Sequence, residues 1–306
     1  MTEEKKGGVE RMETGLEGFD DMIGGGIPKR GVTVAVGSPV SFRPVFVRHL
    51  VWHMSVEMGY KVVYVATVSP PVDMLKSGLD HGFDVIGAYE EGNLIIVDAF
   101  TPRFGTYNVQ IGHPLHGATP NSLGRVPTQH DAEVFVVELL EPLFEREELE
   151  AAALALKNTS FNEAVPTVVG FVERPTPVVE EVADVEVEFQ THESAGGVVN
   201  TAVLRKGVPE YLPRYRVPVT LGSDGKLVFH VDRMYDVEEG EVLEVDTAYD
   251  FELNAPAHVA EALSGPKPEV PRGEKEPERE VESVEKALDE LIEELEEEIK
   301  RLKRMG

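Results

Sequence analysis

Val32–Pro44 reads VTVAVGSPVSFRP. Val32, Val34 and Val36 are β-branched and lie between Gly31 and Gly37, the pattern of a buried strand. Val45–Met58 predicts an amphipathic helix. Strand, glycine, loop and helix together give the outline of a phosphate loop, G-x-x-x-x-G-K-[ST]. In such a loop glycines let backbone N–H groups wrap phosphates, the lysine reaches the β/γ oxygens, and the hydroxyl holds Mg²⁺. Laid on Gly37–Pro44, the pattern keeps its first glycine but places Phe42 at the second, Arg43 at the lysine and Pro44 at the Ser/Thr. Phe42 brings a large side chain where backbone must approach closely. Arg43 keeps a charge but not the compact ammonium. Pro44 has neither hydroxyl nor N–H, though the first turn of a helix accepts it. The candidate binding positions are therefore Gly37, Ser38, Ser41, Phe42, Arg43 and Pro44, all in a degenerate loop. The same window also reads as an ordinary strand–loop–helix.

The preceding residues bear on that choice. Thr14–Gly31 reads TGLEGFDDMIGGGIPKRG. With Thr14, Gly15, Gly18, Asp20, Gly24, Gly25, Gly26, Ile27 and Pro28 in place, it resembles the entry segment of the KaiC-like branch of the RecA superfamily. Weaker similarity runs to about residue 235. The resemblance implies an α/β, RecA-like fold: a central, mostly parallel sheet flanked by helices. It also implies where active relatives carry their chemistry. Two adjacent glutamates that activate water would fall at Val68–Ser69, at the end of the strand Lys61–Thr67. The Walker B strand would be in Ala132–Phe144, with Glu138 at the aspartate position and Leu139 after it; Glu can hold Mg²⁺ through water, but its extra methylene displaces the carboxylate from a tight octahedral site. The K-x-R-G strand, which in relatives reaches a neighbour's nucleotide, would be Thr201–Gly207, with Leu204 at the Lys, Lys206 at the Arg and Arg205 beside them. Val182–Val185 resembles the family's A-D-x-[VI] entry to a late strand.

Composition limits the remaining possibilities. The chain has 306 residues, 42% hydrophobic, without cysteine and with a formal charge of −27. That is enough for one large domain with appendages, and it excludes disulfides, thiolate chemistry and zinc–cysteine sites. Such an acidic surface repels nucleic acid in the absence of a local basic patch. Met1–Gly8 is charged and no apolar run approaches membrane-spanning length, so a cytoplasmic protein is expected.

Several segments keep two readings. His49 and His53, four apart, are a metal pair or packing residues, and no third ligand accompanies them. Asp98, near the end of the strand Asn93–Phe100, is a ligand position of an open α/β sheet or a cap. Thr101–Asp131, with His113, His116 and His130, is a long stretch that suggests a surface excursion, a metal site, or in part a helix. Ala132–Phe144 is a strand or a helix. Helices are expected at Pro71–Gly78 and Glu147–Leu156. Strands are expected at Pro166–Val172, Val217–Val219, Lys226–Val231 and Val242–Val245, with a turn at Gly222–Gly225. The chain divides into a polar tail (1–13), the core (14–246), a Pro/Glu-rich linker (247–280) and a coiled-coil helix (281–306). In the last, Val281, Val284, Leu288, Leu291, Leu295, Ile299 and Leu302 form the stripe, for self-association or for docking on the parent domain or a partner.

Substitutions at the loop, the paired glutamates, Walker B and the trans cations lie in four separate segments. Phosphoryl transfer depends on positioning and charge neutralisation, so the expectation is a catalytically inactive KaiC-like protein. It would act as a regulatory or scaffold subunit through protein contacts, as a homo- or hetero-oligomer, with no catalytic residue, no metal and no cofactor. ATP and Mg²⁺ enter only if the degenerate site still binds. The alternatives are a nucleotide-responsive switch without efficient hydrolysis, a DNA-recombination accessory, and an enzyme with a new site around the 101–131 histidines.

Overall fold

A computed structural model describes residues 9–104, 111–173, 177–194, 197–207, 216–232, 234–238 and 241–245. The expected linker and coiled-coil helix lie outside these residues. The elements, in order, are β1 (Arg11–Met12), α1 (Phe19–Met22), β2 (Ile27–Pro28), β3 (Val32–Val36), α2 (Arg43–Trp52) running into a π turn at His53–Glu57, β4 (Val62–Ala66), α3 (Pro71–Asp80), α4 (Val85–Glu90), β5 (Leu94–Asp98), α5 (Thr101–Phe104), β6 (His113–Pro114), α6 (Pro120–Gln129), β7 (Val134–Val137), α7 (Arg146–Glu163), β8 (Thr167–Phe171), α8 (Pro177–Val182), β9 (Val185–Ser194), β10 (Gly197–Lys206), β11 (Val217–Leu221), β12 (Leu227–Phe229), β13 (Met234–Glu238) and β14 (Glu241–Val245).

The main sheet has ten strands in the order β12-β11-β10-β9-β3-β8-β7-β4-β5-β6. It is parallel from β9 to β6 and antiparallel from β9 to β12. Parallel strands are covered on both faces and so read as unbroken apolar runs. Alternate residues of one strand accordingly enter opposite cores. Val62, Tyr64 and Ala66 pack on the side of α2, α3 and α4, while Val63 and Val65 pack on the side of α6, α7 and α8. The α/β reading with a central, mostly parallel sheet flanked by helices therefore holds.

The glycine-rich lead-in is built structurally. Asp20 accepts hydrogen bonds from Thr14 N (2.9 Å), Thr14 Oγ1 (2.8 Å) and Gly15 N (3.1 Å). Gly18 is left-handed at φ 73°, and a Cβ there would lie 1.9 Å from Phe229 O. The loop thus packs its backbone directly on β12. Phe19, Phe46 and Phe229 interlock above it, with centroids 4.8 Å (Phe19–Phe46) and 5.1 Å (Phe19–Phe229) apart. Asp184, in the A-D-x-V segment, accepts from Val32 N (2.8 Å) and pairs with Lys157, anchoring the start of β3.

Several sequence readings are settled or corrected here. Val134–Val137 is a strand, and the helical alternative falls. The helix after the loop begins at Arg43 rather than Val45, with Pro44 in its first turn. The 101–131 stretch is largely structured, holding α5, β6 and α6. Helix α6 closes on a capping box between Thr119 and Ser122. The end of the polar tail is also structured, since Arg11 and Met12 pair with Pro28 and Ile27. No helix among the described residues is long and apolar enough to cross a membrane.

Candidate functional site

The chain returns to β3 from both sides: β4 lies beyond β8 and β7 on one flank, and β9 joins the other. Ligands of open α/β sheets gather outside the carboxyl ends of strands where the order reverses. Here those ends bring together Gly37–Pro44 after β3, Thr67–Ser69 after β4, Glu138–Glu141 after β7 and Val172 after β8.

The loop is closed on itself. Gly37 N donates to Phe171 O (3.0 Å) and Ser41 N to Ser38 O (3.1 Å). Ser41 Oγ also donates to Ser38 O (2.7 Å) and accepts from Arg43 N (3.3 Å). Pro39 and Pro44 have no N–H. Among the described residues, only the amides of Ser38, Val40 and Phe42 are left in the loop without a protein acceptor. Arg43 is 3% exposed and turns back inside the loop. Its Nε donates to Gly37 O (2.8 Å) and its Nη1 to Glu138 O (3.4 Å). Burial lowers the guanidinium pKa, opposed by the charges of Glu141 and Glu138.

Glu138 does not face the loop. Its Oε2 accepts from Thr67 N (3.0 Å) and Val68 N (2.9 Å), and its Oε1 lies 3.6 Å from Arg48 Nη2. Arg48 in turn donates to Ser69 Oγ (3.2 Å). Val68 and Ser69, where the resemblance placed a glutamate pair, therefore serve to hold Glu138 and Arg48. Tyr64 is fully buried beneath this pair; burial first, then the Glu138 charge, raises its phenol pKa well above the usual value. This donor set does not fit a magnesium–triphosphate group. Arg43 sits inside the loop, the Glu138 carboxylate is taken by backbone amides, and Pro44 has no hydroxyl to offer a metal.

Sequence reasoning missed Glu141, Arg48, Tyr64 and Gly170. Glu141 Oε1 accepts from Val172 N (2.7 Å), and its Oε2 is buried without a hydrogen-bond partner. Burial raises its carboxyl pKa, and the hydrogen bonds and the Arg43 charge oppose that. The one visible signal was the repeated glutamate, three residues after Glu138.

Other predicted positions lie away from this cluster or serve structure. Asp98 caps α5, its Oδ1 accepting from Phe100 N (3.0 Å) and Thr101 N (2.8 Å). Lys206 Nζ donates to Glu180 O (2.8 Å) and Glu181 O (3.1 Å), closing the last turn of α8. Arg205 pairs with Glu188 at 2.6 Å, so both cations are engaged within their own chain. His49 and His53 are buried among Trp52, His81 and Phe83. His113 and His130 stack at 4.6 Å. Among the described residues, no three His, Asp or Glu side chains converge on a metal position.

Comparison with known proteins agrees with this architecture. Residues 12–153 match the family described as the KaiC ATPase. A UPF0273 protein of Thermotoga maritima is 34% identical over 99 residues, 32% of this chain and 40% of the relative. A UPF0273 protein of Pyrococcus furiosus is 36% identical over 110 residues, 35% of this chain and 44% of the relative. The chain thus spans about two fifths of the length of these curated relatives. The crystal structure of a KaiC-like protein of Pyrococcus horikoshii superposes with a TM-score of 0.58 at 19% identity, over 72% of this chain and 99% of that one. Residues 12–153 are thus similar to the KaiC ATPase family, and the described core shares the fold of a KaiC-like protein.

Proposed function

We propose that this KaiC-like protein does not turn over ATP and acts through protein contacts, as a regulatory or scaffold subunit in the cytoplasm. One observation carries the reading: Arg43 is buried inside the loop on Gly37 O and Glu138 O, while the Glu138 carboxylate is held by Thr67 N and Val68 N. Transfer of a phosphoryl group needs a cation on the phosphates, a metal ligand and a group that orients the nucleophile. Here the residues at all three positions are engaged with the protein. The net charge of −27 and the apolar repeat in the sequence of 281–302 support a role in protein contacts instead. The direct test is phosphate release from ATP under multiple turnover, with and without Mg²⁺. The expected rate equals the buffer blank, and sustained release that is abolished by Glu138→Gln would overturn the reading.

A second reading, nucleotide binding without turnover, draws on the three loop amides without a protein acceptor. Under it, millimolar ATP raises the melting temperature. An unchanged melting temperature removes it.

A further inference from the structure

Around the Arg43 guanidinium, the carboxyl ends of β3 and β7 present acceptors. Gly37 O and Glu138 O both receive Arg43. Glu141 adds a carboxylate whose Oε2 is buried without a partner. Two glycines make the space. A Cβ on Gly170 would lie 2.1 Å from Glu138 O and 3.2 Å from Arg43 Nη1, and a Cβ on Gly37 would lie 3.1 Å from Arg43 Cβ. Any side chain at Gly170 would push into Glu138 O and crowd the guanidinium. A phosphate-binding loop presents the opposite sign, with N–H groups converging on an anion.

We propose that this end of the sheet is a cation pocket, with carbonyl and carboxylate oxygens as its walls and the guanidinium of Arg43 as its resident ligand. A pocket of this shape and charge recognises a small planar cation with several N–H donors, the geometry that suits paired oxygen acceptors. Emptied of Arg43, it takes guanidinium from solution and rejects inorganic anions. The inference rests on the reading that the loop does not take a triphosphate, and it deepens that reading by naming the chemical class the site accepts.

The test uses the full chain and its Arg43→Ala variant. Guanidinium chloride is the probe, sodium chloride and urea at equal concentration are the controls, and pyrophosphate is the competing anion. The variant should melt below the wild type. At about 50 mM, well above an assumed Kd of about 5 mM, guanidinium should raise its melting temperature by roughly 3 °C. The controls, pyrophosphate and the wild type should show no such rise. Equal response of variant and wild type to guanidinium, or stabilisation of the variant by pyrophosphate, overturns the proposal. Should the variant fail to fold, recovery of folded chain on refolding becomes the readout. Recovery with guanidinium alone supports the pocket, and equal recovery with sodium removes it. ATP binding to the wild type would instead sink the functional reading, so the two failures are distinguishable.

Discussion

Lowering the pH should weaken this fold through His49, by an amount that can be worked out. The ring is fully buried in α2, and neither nitrogen has a hydrogen-bond partner. His81, His53, Trp52 and Phe83 surround it, with centroids 5.1, 6.3, 4.9 and 5.7 Å away. Burial, then the charges of His81 and His53, lowers its pKa from 6.5 to about 3, with Asp224 opposing. The unfolded chain takes up this proton near pH 6.5 and the folded chain only near pH 3. Stability is therefore untouched above the first value and falls progressively between the two. At pH 5 the unfolded form is favoured by about 1.5 pH units of proton binding, or about 2 kcal/mol. The assay is urea unfolding of the wild type and His49→Phe at pH 7.5 and 5.0. The wild type should lose about 2 kcal/mol more than the variant between these conditions. His53 and its neighbours Glu57 and Lys226 remain in both proteins, so their share cancels. Identical pH dependence in the two chains would refute the reasoning, because it would mean that the buried ring is not held neutral.

Substitutions at four positions test the lead-in and the strand ends. Gly18→Ala places a Cβ 1.9 Å from Phe229 O at φ 73°, so it should cost more than about 3 kcal/mol. Gly25→Ala, at φ 99° with nothing within 4 Å, should cost only about 1 kcal/mol of backbone strain; calorimetric melts of the pair separate clash from strain. Asp20→Ala strands Thr14 N, Thr14 Oγ1 and Gly15 N and should cost about 2–3 kcal/mol in urea unfolding, with Asp20→Asn losing less. Glu138→Ala leaves the Thr67 and Val68 amides and Arg48 without their acceptor. A loss of about 3 kcal/mol is expected in the same assay, and an unchanged midpoint would show that the carboxylate does not stabilise these strand ends.

The sheet was legible because its strands are short β-branched runs buried on both faces, such as Val32–Val36 and Val62–Ala66. Pro44 in the first helical turn followed from its missing N–H. The turn at Gly222–Gly225 followed from its glycines, and Gly225 N donates to Gly222 O at 3.0 Å. The π turn at His53–Glu57 and the short helix α4 left no periodic signal in their windows. The site was legible only as residue types in positions. Phe42, Arg43, Pro44 and Glu138 could be read off as departures from a pattern, but not the direction in which each side chain points. Arg43 is fixed by Glu138, 95 residues away, and Glu138 by Thr67 and Val68, 71 and 70 residues away. Such contacts arise only once the parallel strands are in register. For the same reason Glu141 and Gly170 escaped notice: one is an ordinary glutamate and the other an ordinary strand glycine until the guanidinium lies between them.

The account turns on whether the loop after β3 still takes a nucleotide. The measurement is calorimetric titration of the full chain with ATP and ADP, each with and without Mg²⁺. The account predicts no binding heat up to about 1 mM nucleotide, because Arg43 and Glu138 are already satisfied within the protein. A micromolar Kd that strengthens with Mg²⁺ would contradict it, since such binding requires Arg43 to leave Gly37 O and Glu138 to turn toward the metal.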